Sequence, residues 1–145
     1  MENTDFLYRI KELEAAAKKL FLEYSIIEGK MANEFIQNTF NKFNPFKVVG
    51  HLSIGSDISE KLSTDEYEFT FSEKYLSGAV YIFFEQDYYN KNQIFVLKEG
   101  KLLSKLIQEC YAMEYFITND KNNYFISVNW YVIELLGVGS GPAGY

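Results

Sequence analysis

The spacing of apolar residues changes part-way along the chain from a helical period to a strand period. In the N-terminal third, apolar side chains recur at steps of three and four residues, which places them on one face of a helix. These positions are Phe6, Ile10, Leu13, Ala17, Leu20 and Tyr24. Thr4 is the expected N-cap, and Asp5 then lies in the first turn, where the helix dipole favours negative charge. Gly29 is expected to break this helix.

A second helix is predicted over residues 30–42. Its inward-facing side chains are expected to be Met31, Phe35, Thr39, Phe40 and Phe43. The helix should end at Asn44, because the residue before a proline avoids helical geometry and Pro45 follows directly.

Beyond Pro45 the apolar period becomes two, which indicates strands. Residues 47–52 are a candidate short strand, and residues 55–57 are a turn or a helix start. Tyr67, Phe69 and Phe71 alternate with polar residues, a pattern that predicts a half-buried strand.

Two later segments, residues 79–85 and 93–98, are apolar on both faces. Such segments are typical of central strands that are covered on each side. The polar residues 87–92 between them predict a hairpin loop.

The C-terminal part combines a helix with two more strands. Gly100 is predicted to open the helix, whose apolar stripe consists of Leu103, Leu106, Ile107 and Cys110. The strands span residues 114–118 and 124–131, and the polar residues 119–123 predict the turn between them.

These elements predict an α+β fold. Its core is a mostly antiparallel β-sheet of four to five strands, packed with two N-terminal helices and with one helix inserted between strand pairs. The length of 145 residues suits one hydrophobic core. We therefore expect a single domain over residues 1–137, followed by a flexible Gly-rich tail at 138–145 that is either native or left over from expression.

Aromatic residues make up 18% of the chain, which is the one unusual feature of its composition. Large rings bury much area per residue, so most of them are expected to form the core. A few tyrosines are expected to lie outside as contact residues, because rings with a polar tip are enriched at interfaces.

The sequence favours a reducing, cytoplasmic environment. Cys110 is the only cysteine, so no intramolecular disulfide can form, whereas small secreted domains more often carry an even set. The first residues are acidic and polar, unlike a signal peptide, and no apolar run reaches the length of a membrane span.

Negative charge is concentrated in the middle third of the chain. Residues 51–99 carry four basic and nine acidic side chains, a net charge of −5 out of −6 for the whole protein. Such a surface repels a phosphate backbone, so nucleic-acid binding is disfavoured. It would attract a cationic protein, although a solvated acidic face that only maintains solubility explains the charge equally well.

No constellation of residues points to catalysis, a metal site or a cofactor. His51 is the only histidine, and Cys110 falls on the apolar stripe of a helix, where a buried and inert thiol is the default. One histidine and one cysteine cannot form a structural zinc site. Glu66 and Glu68 would share a face if their segment were a strand, which leaves a carboxylate-based hydrolase open as an alternative.

The remaining candidate is an acidic surface with tyrosines that could bind a protein partner. Carboxylates would give association rate and specificity, and desolvated rings would supply affinity. A polar hairpin tip with two stray tyrosines is the competing interpretation. The candidate residues are Asp65, Glu66, Glu68, Glu73, Glu85, Asp87, Tyr88 and Tyr89.

The second half of the chain resembles small bacterial immunity proteins, which neutralise nuclease or other toxins delivered between competing cells. The resemblance covers residues 67–136 and lies in their layout: the aromatic strand 80–85, the helix 102–111, and the hairpin formed by residues 114–118 and 124–130. It implies a small, cytosolic, acidic protein without enzymatic activity that binds a cationic toxin domain.

We therefore expect an immunity or antitoxin-like protein that covers a basic toxin domain with its acidic, Tyr-containing surface. It is expected to need no cofactor, to bind neither nucleic acid nor membrane, and to be a monomer or a homodimer. One alternative is a small-molecule-binding or self-associating structural domain, and the other is the carboxylate-based hydrolase.

Overall fold

A single antiparallel sheet organises the computed structural model, which describes residues 8–137. The strands are β1 (Tyr24–Glu28), β2 (Glu60–Ser63), β3 (Val80–Phe83), β4 (Gln93–Leu97), β5 (Tyr115–Thr118), β6 (Phe125–Val128) and β7 (Val132–Leu136). They lie in the order β1-β4-β3-β5-β6-β7-β2, and every neighbouring pair is antiparallel. The predicted α+β class is confirmed.

The described helices are α1 (Arg9–Lys19), α2 (Gly29–Phe43), α3 (Thr64–Tyr67), α4 (Phe71–Tyr75) and α5 (Leu103–Gln108). A 3-10 turn, Gly100–Leu102, leads into α5. Within residues 8–137, no helix combines the length and the apolar character that crossing a bilayer requires. The predicted N-cap region, with Thr4, Asp5 and Phe6, and the tail at 138–145 lie outside the described residues.

Both faces of the sheet are covered, which explains the continuous apolar runs of β3 and β4. On one face, Ile82 of β3 and Phe95 of β4 pack against α1, α4 and α5. On the other face, Phe83 and Ile94 pack against α2 and the irregular segment 46–55. The side chains thus alternate between a first hydrophobic core, on the side of α1, α4 and α5, and a second one, on the side of α2. β3 is therefore a central strand as predicted, and the connection that includes residues 87–92 leads to β4.

The N-terminal helix is shorter than predicted. It ends at Lys19, and Phe21 adopts a left-handed conformation with φ of 59° that turns the chain back. Tyr24, predicted to lie on the helix, instead begins β1 and pairs with Leu97 of β4. The apolar residues at 20, 22 and 24 fit a helical period as well as a strand period. Residues from Tyr24 onward form a strand because they pair with β4.

The second helix and its end are confirmed, but its buried face is displaced from the prediction. Asn44 caps the helix in a left-handed conformation. The buried residues are Ala32, Ile36 and Thr39, whereas Met31 is 72% exposed. The predicted Phe35, Phe40 and Phe43 pack at the margin of the same core as half-buried rings.

Two predicted strands are absent from the described residues. Residues 47–52 form no strand, and only an isolated bridge joins Lys47 to Ser53. The alternating segment 67–71 belongs instead to the end of α3, a turn and the start of α4, and Phe71 is buried against α5 and the first core. The strand in this region is β2, which precedes the alternation.

The helix predicted at Gly100 and the strand at 114–118 are confirmed, whereas the strand predicted at 124–131 is shorter and a further, unpredicted strand follows it. β6 ends at Val128, the chain turns through residues 129–131, and β7 returns beside β6. β1, β2 and β7 bring the count from the predicted four or five strands to seven.

Candidate functional site

One end of the sheet carries a group of polar and aromatic side chains that could meet a partner. Phe83 at the end of β3 pairs with Phe116 of β5, and Tyr115 of β5 pairs with Val128 at the end of β6. The residues that follow β3, precede β5 and follow β6 therefore meet at this end. We call it the sheet-end surface, and it comprises Glu85, Asp87, Tyr88, Glu114, Trp130 and Tyr131.

A cavity of about 350 Å³ opens in the middle of the sheet-end surface. Glu85, Asp87 and Glu114 supply carboxylates to its lining, and Trp130 and Phe84 supply aromatic walls. Arg9 and His51 also line the cavity, but each contacts a carboxylate: Arg9 pairs with Glu12 at 3.0 Å, outside the cavity lining, and His51 Nδ1 lies 2.7 Å from Glu114 Oε2. Acidic groups therefore outnumber basic groups around the opening.

Glu114 organises the floor of this cavity. It stands immediately before β5, and its side chain is only 10% exposed. Its two oxygens accept hydrogen bonds from the backbone N–H groups of Leu52 (3.3 Å) and Trp130 (3.0 Å), in addition to the contact with His51. One carboxylate thus ties the segment 46–55 to the turn between β6 and β7.

Two of the predicted acidic residues shape the loop after β3. Glu85 Oε1 accepts a hydrogen bond from the N–H of Gly50 at 2.9 Å. Asp87 Oδ1 accepts hydrogen bonds from the N–H groups of Tyr89 (3.0 Å) and Asn90 (2.9 Å), which closes a tight turn. This turn holds Tyr88 outward, where it is 79% exposed, while Tyr89 is half-buried and packs edge-on against it.

Asp65 and Glu66 lie on α3, beside the other flank of the sheet-end surface. Both are exposed in the first turn of this short helix. Thr64, which begins α3, donates hydrogen bonds from Oγ1 to the carbonyl of Asn129 (2.9 Å) and from N–H to the carbonyl of Tyr131 (3.2 Å). The acidic helix is therefore fixed directly to the turn that carries Trp130 and Tyr131.

Glu68 and Glu73 are not part of this arrangement. Glu68 is half-buried, and burial raises the pKa of its carboxyl. Its backbone carbonyl accepts a long hydrogen bond from Ser104 in α5. Glu73 lies on α4, where its carbonyl accepts a hydrogen bond from Lys101. Glu66 and Glu68 do not share a strand face as predicted, and neither lines the sheet-end cavity.

The sequence interpretation missed Glu114, Trp130, Tyr131 and Asn129. Their signals were present: Glu114 directly precedes an apolar strand, and Trp130 is the single tryptophan of the chain. They come together only through the pairing of β5, β6 and β7, which local periodicity does not reveal.

Cys110 stands apart from this site. Burial, more than the nearby Glu12 carboxylate, raises the pKa of its thiol to about 12, so the nucleophilic thiolate is scarce at neutral pH. Among residues 8–137, no group of three or more His, Cys, Asp or Glu side chains is arranged to hold a metal ion.

Comparison with known proteins does not assign a family to this chain. No protein-family model matches it, and no curated protein or solved structure matches it significantly. The resemblance to immunity proteins therefore stays an expectation, and function must be argued from the geometry of the sheet-end surface.

Proposed function

We propose that this protein is an immunity or antitoxin-like protein that acts in the cytoplasm by binding and neutralising a cationic toxin domain. The observation that carries the proposal is the composition of the sheet-end surface, where three exposed rings stand among carboxylates. These rings are Tyr88 (79% exposed), Tyr131 (71%) and Trp130 (45%). Exposed rings next to charges form the anchors of many protein interfaces.

Charge gives this surface its preference for a basic partner. Glu85, Asp87 and Glu114 lie around the cavity, and Asp65 and Glu66 lie on the adjoining helix α3. Complementary charge accelerates association and discriminates against acidic proteins. A basic toxin domain docked here would be covered by carboxylates from two sides.

The experiment compares two variants with the same change in net charge. The site variant reverses two charges on α3 and one at the cavity, and it leaves Asp87 and the turn that it holds unchanged. Its substitutions are Asp65→Lys, Glu66→Lys and Glu85→Lys. In the control variant, Glu23→Lys, Glu73→Lys and Glu99→Lys reverse exposed charges elsewhere: Glu23 and Glu99 adjoin the strand ends opposite the sheet-end surface, and Glu73 lies on α4.

Wild type and both variants are then tested against a panel of basic toxin domains, beginning with any toxin encoded beside the gene. Binding is measured by calorimetry at low and at physiological salt, and protection is measured by growth of cells that express the toxin. We expect the site variant to bind at least about tenfold more weakly and the control variant to bind like wild type. Equal weakening by both variants, or no binding of any basic toxin by wild type, contradicts the proposal.

A further inference from the structure

The turn between β6 and β7 holds exposed aromatic side chains on a backbone whose N–H groups at residues 129–131 all donate hydrogen bonds. Asn129 is 6% exposed, and its Oδ1 accepts hydrogen bonds from the N–H groups of Tyr131 (2.8 Å) and Val132 (2.9 Å). Its Nδ2 donates to the carbonyl of Leu52 at 2.9 Å. The buried amide of Asn129 therefore closes the turn and also joins it to the segment 46–55.

Neighbouring elements add further hydrogen bonds to this turn. The N–H of Trp130 donates to Glu114, and Thr64 donates to the carbonyls of Asn129 and Tyr131. A backbone that is fixed in this way loses little conformational entropy when its side chains bind a partner. Trp130 and Tyr131 are 45% and 71% exposed, so a large part of each residue makes no contact within the chain.

Trp130 also lines the sheet-end cavity, together with the carboxylates of Glu85, Asp87 and Glu114. An indole face attracts a cation within about 6 Å of its centre, and a guanidinium group can stack on the ring while it donates to carboxylates. The cavity volume of about 350 Å³ is enough for the end of a long basic side chain. The volume of the cavity, the indole of Trp130 and the carboxylates therefore all favour a basic side chain, Arg or Lys.

Resting on the function proposed above, we propose that the 129–131 turn is the anchor of the partner interface. In this arrangement an Arg or Lys side chain of the cationic partner enters the sheet-end cavity against Trp130, between Glu85 and Glu114. Tyr131, whose ring packs edge-on against His51 of the cavity lining, and Tyr88, which directly follows Asp87 of that lining, contact the partner around it.

A labelled hexa-arginine peptide serves as the probe, and a hexaglutamate peptide serves as its counterpart of opposite charge. Because Trp130 is the only tryptophan, its fluorescence in wild type reports directly on this site. Affinity is measured by fluorescence polarisation of the labelled peptide, so that variants without tryptophan can be compared. The variants are Trp130→Ala, Trp130→Phe and, as a matched control, Phe21→Ala, which removes a ring that is 93% exposed at the far end of α1.

We expect hexa-arginine to change the Trp130 fluorescence saturably and hexaglutamate to leave it unchanged. Trp130→Ala should weaken hexa-arginine binding by about tenfold or more, Trp130→Phe should recover part of that loss, and Phe21→Ala should change it by less than about twofold. Thermal unfolding of each variant verifies that it is folded. Equal affinity of wild type and Trp130→Ala, or no response of Trp130 at saturating peptide, overturns the inference.

The outcomes separate the anchor from the function. If a basic toxin is neutralised and Trp130→Ala neutralises it equally well, the function stands and the anchor is wrong. If hexa-arginine binds through Trp130 but no basic toxin is bound, the cavity recognises basic side chains and the toxin-neutralising function is wrong.

Discussion

Glu134 shows how a buried carboxylate can be a structural residue rather than a functional one. It lies within the apolar strand β7 and is 2% exposed. Its Oε1 accepts hydrogen bonds from the N–H of Ile54 (3.0 Å) and the hydroxyl of Ser53 (2.8 Å), and its Oε2 accepts one from the N–H of Gly55 (3.1 Å). These donors replace the water that the charge has lost. The carboxylate thereby fastens the segment 46–55 to the sheet.

Replacing this carboxylate by an amide should weaken the fold. In Glu134→Gln only one oxygen remains, so one of the N–H groups of Ile54 and Gly55 would face an amide NH₂ group instead of an acceptor. We expect the free energy of unfolding to fall by about 1.5–3 kcal/mol, measured by urea denaturation. The exposed Glu28→Gln is the control, with an expected change below about 0.5 kcal/mol. Equal stability of Glu134→Gln and wild type would show that these hydrogen bonds contribute nothing.

Tyr115 presents the opposite case, a buried polar atom without a hydrogen-bond partner among the described residues. Its ring is fully buried in the first core, and burial, reinforced by the Glu68 carboxylate, raises the pKa of its hydroxyl well above the ordinary value. We expect Tyr115→Phe to leave the stability at pH 7 unchanged or to raise it by up to about 1 kcal/mol, measured by urea denaturation. A loss of more than about 1 kcal/mol would mean that the hydroxyl has a partner, such as a buried water molecule.

The same tyrosine should make the protein sensitive to alkali. The unfolded chain loses the Tyr115 proton near pH 10, whereas the folded protein keeps it because its pKa is raised. The contribution of Tyr115 is complete below about pH 10 and is lost as the pH rises further. Tyr115→Phe should therefore lose less stability than wild type between about pH 9 and pH 11, as measured by urea denaturation across that range. Parallel losses in the two proteins would contradict this assignment.

At the level of single residues, the candidate site was only partly predictable from the sequence. Glu85 ends the predicted strand 79–85, which could be recognised by its composition, and Asp87 begins the predicted loop after it; the structure places both at the cavity. Glu114 reaches the same cavity from the start of β5, and Trp130 reaches it from the turn between β6 and β7. Their proximity depends on strand order, which a single sequence does not contain.

Among the elements, those with strong local signals were predicted and those defined by distant partners were not. β3, β4 and β5 are apolar on both faces because layers of the fold cover both sides of them. β1 and β2 are edge strands with exposed positions in each. Their pairing with β4 and β7, not their composition, makes them strands.

Gly100 determines how closely the turn before α5 can approach β3. A Cβ atom at this position would lie 2.6 Å from Cγ1 of Val80 and 2.8 Å from the carbonyl oxygen of Gly78, which accepts a hydrogen bond from the Gly100 N–H. Gly100→Ala should therefore displace the turn and lower the free energy of unfolding by about 1–3 kcal/mol. The control, Ser77→Ala at an exposed position, should change the free energy of unfolding by less than about 0.5 kcal/mol. Chemical denaturation of both variants measures these changes. Equal stability would mean that the turn moves away without cost.

At the scale of the whole molecule, one sheet connects two hydrophobic cores. Every central strand sends alternate side chains into each core, so neither core can be lost while the sheet remains intact. This construction predicts that residues 8–137 unfold in one cooperative transition, as small single domains usually do.

Variants in the two cores test this cooperativity. Leu106→Ala in α5 and Ile36→Ala in α2 each remove a fully buried side chain from a different core. Each should lower the free energy of unfolding by about 2–5 kcal/mol, and both should shift the same single transition in calorimetry and in near-ultraviolet circular dichroism. Two separate transitions, with each variant moving only one of them, would show that the cores unfold independently.

The positions of the outer strands have a consequence for biosynthesis. Both edges of the sheet come from the N-terminal half of the chain: β1 must wait for β4, and β2 must wait for β7, the last strand that the structure describes. While the ribosome is still translating the later strands, the early segments are already outside the exit tunnel with no partner to pair with. Such long-range closure slows folding and leaves apolar segments open to aggregation. A newly made chain should therefore complete its sheet only after its final hairpin has emerged.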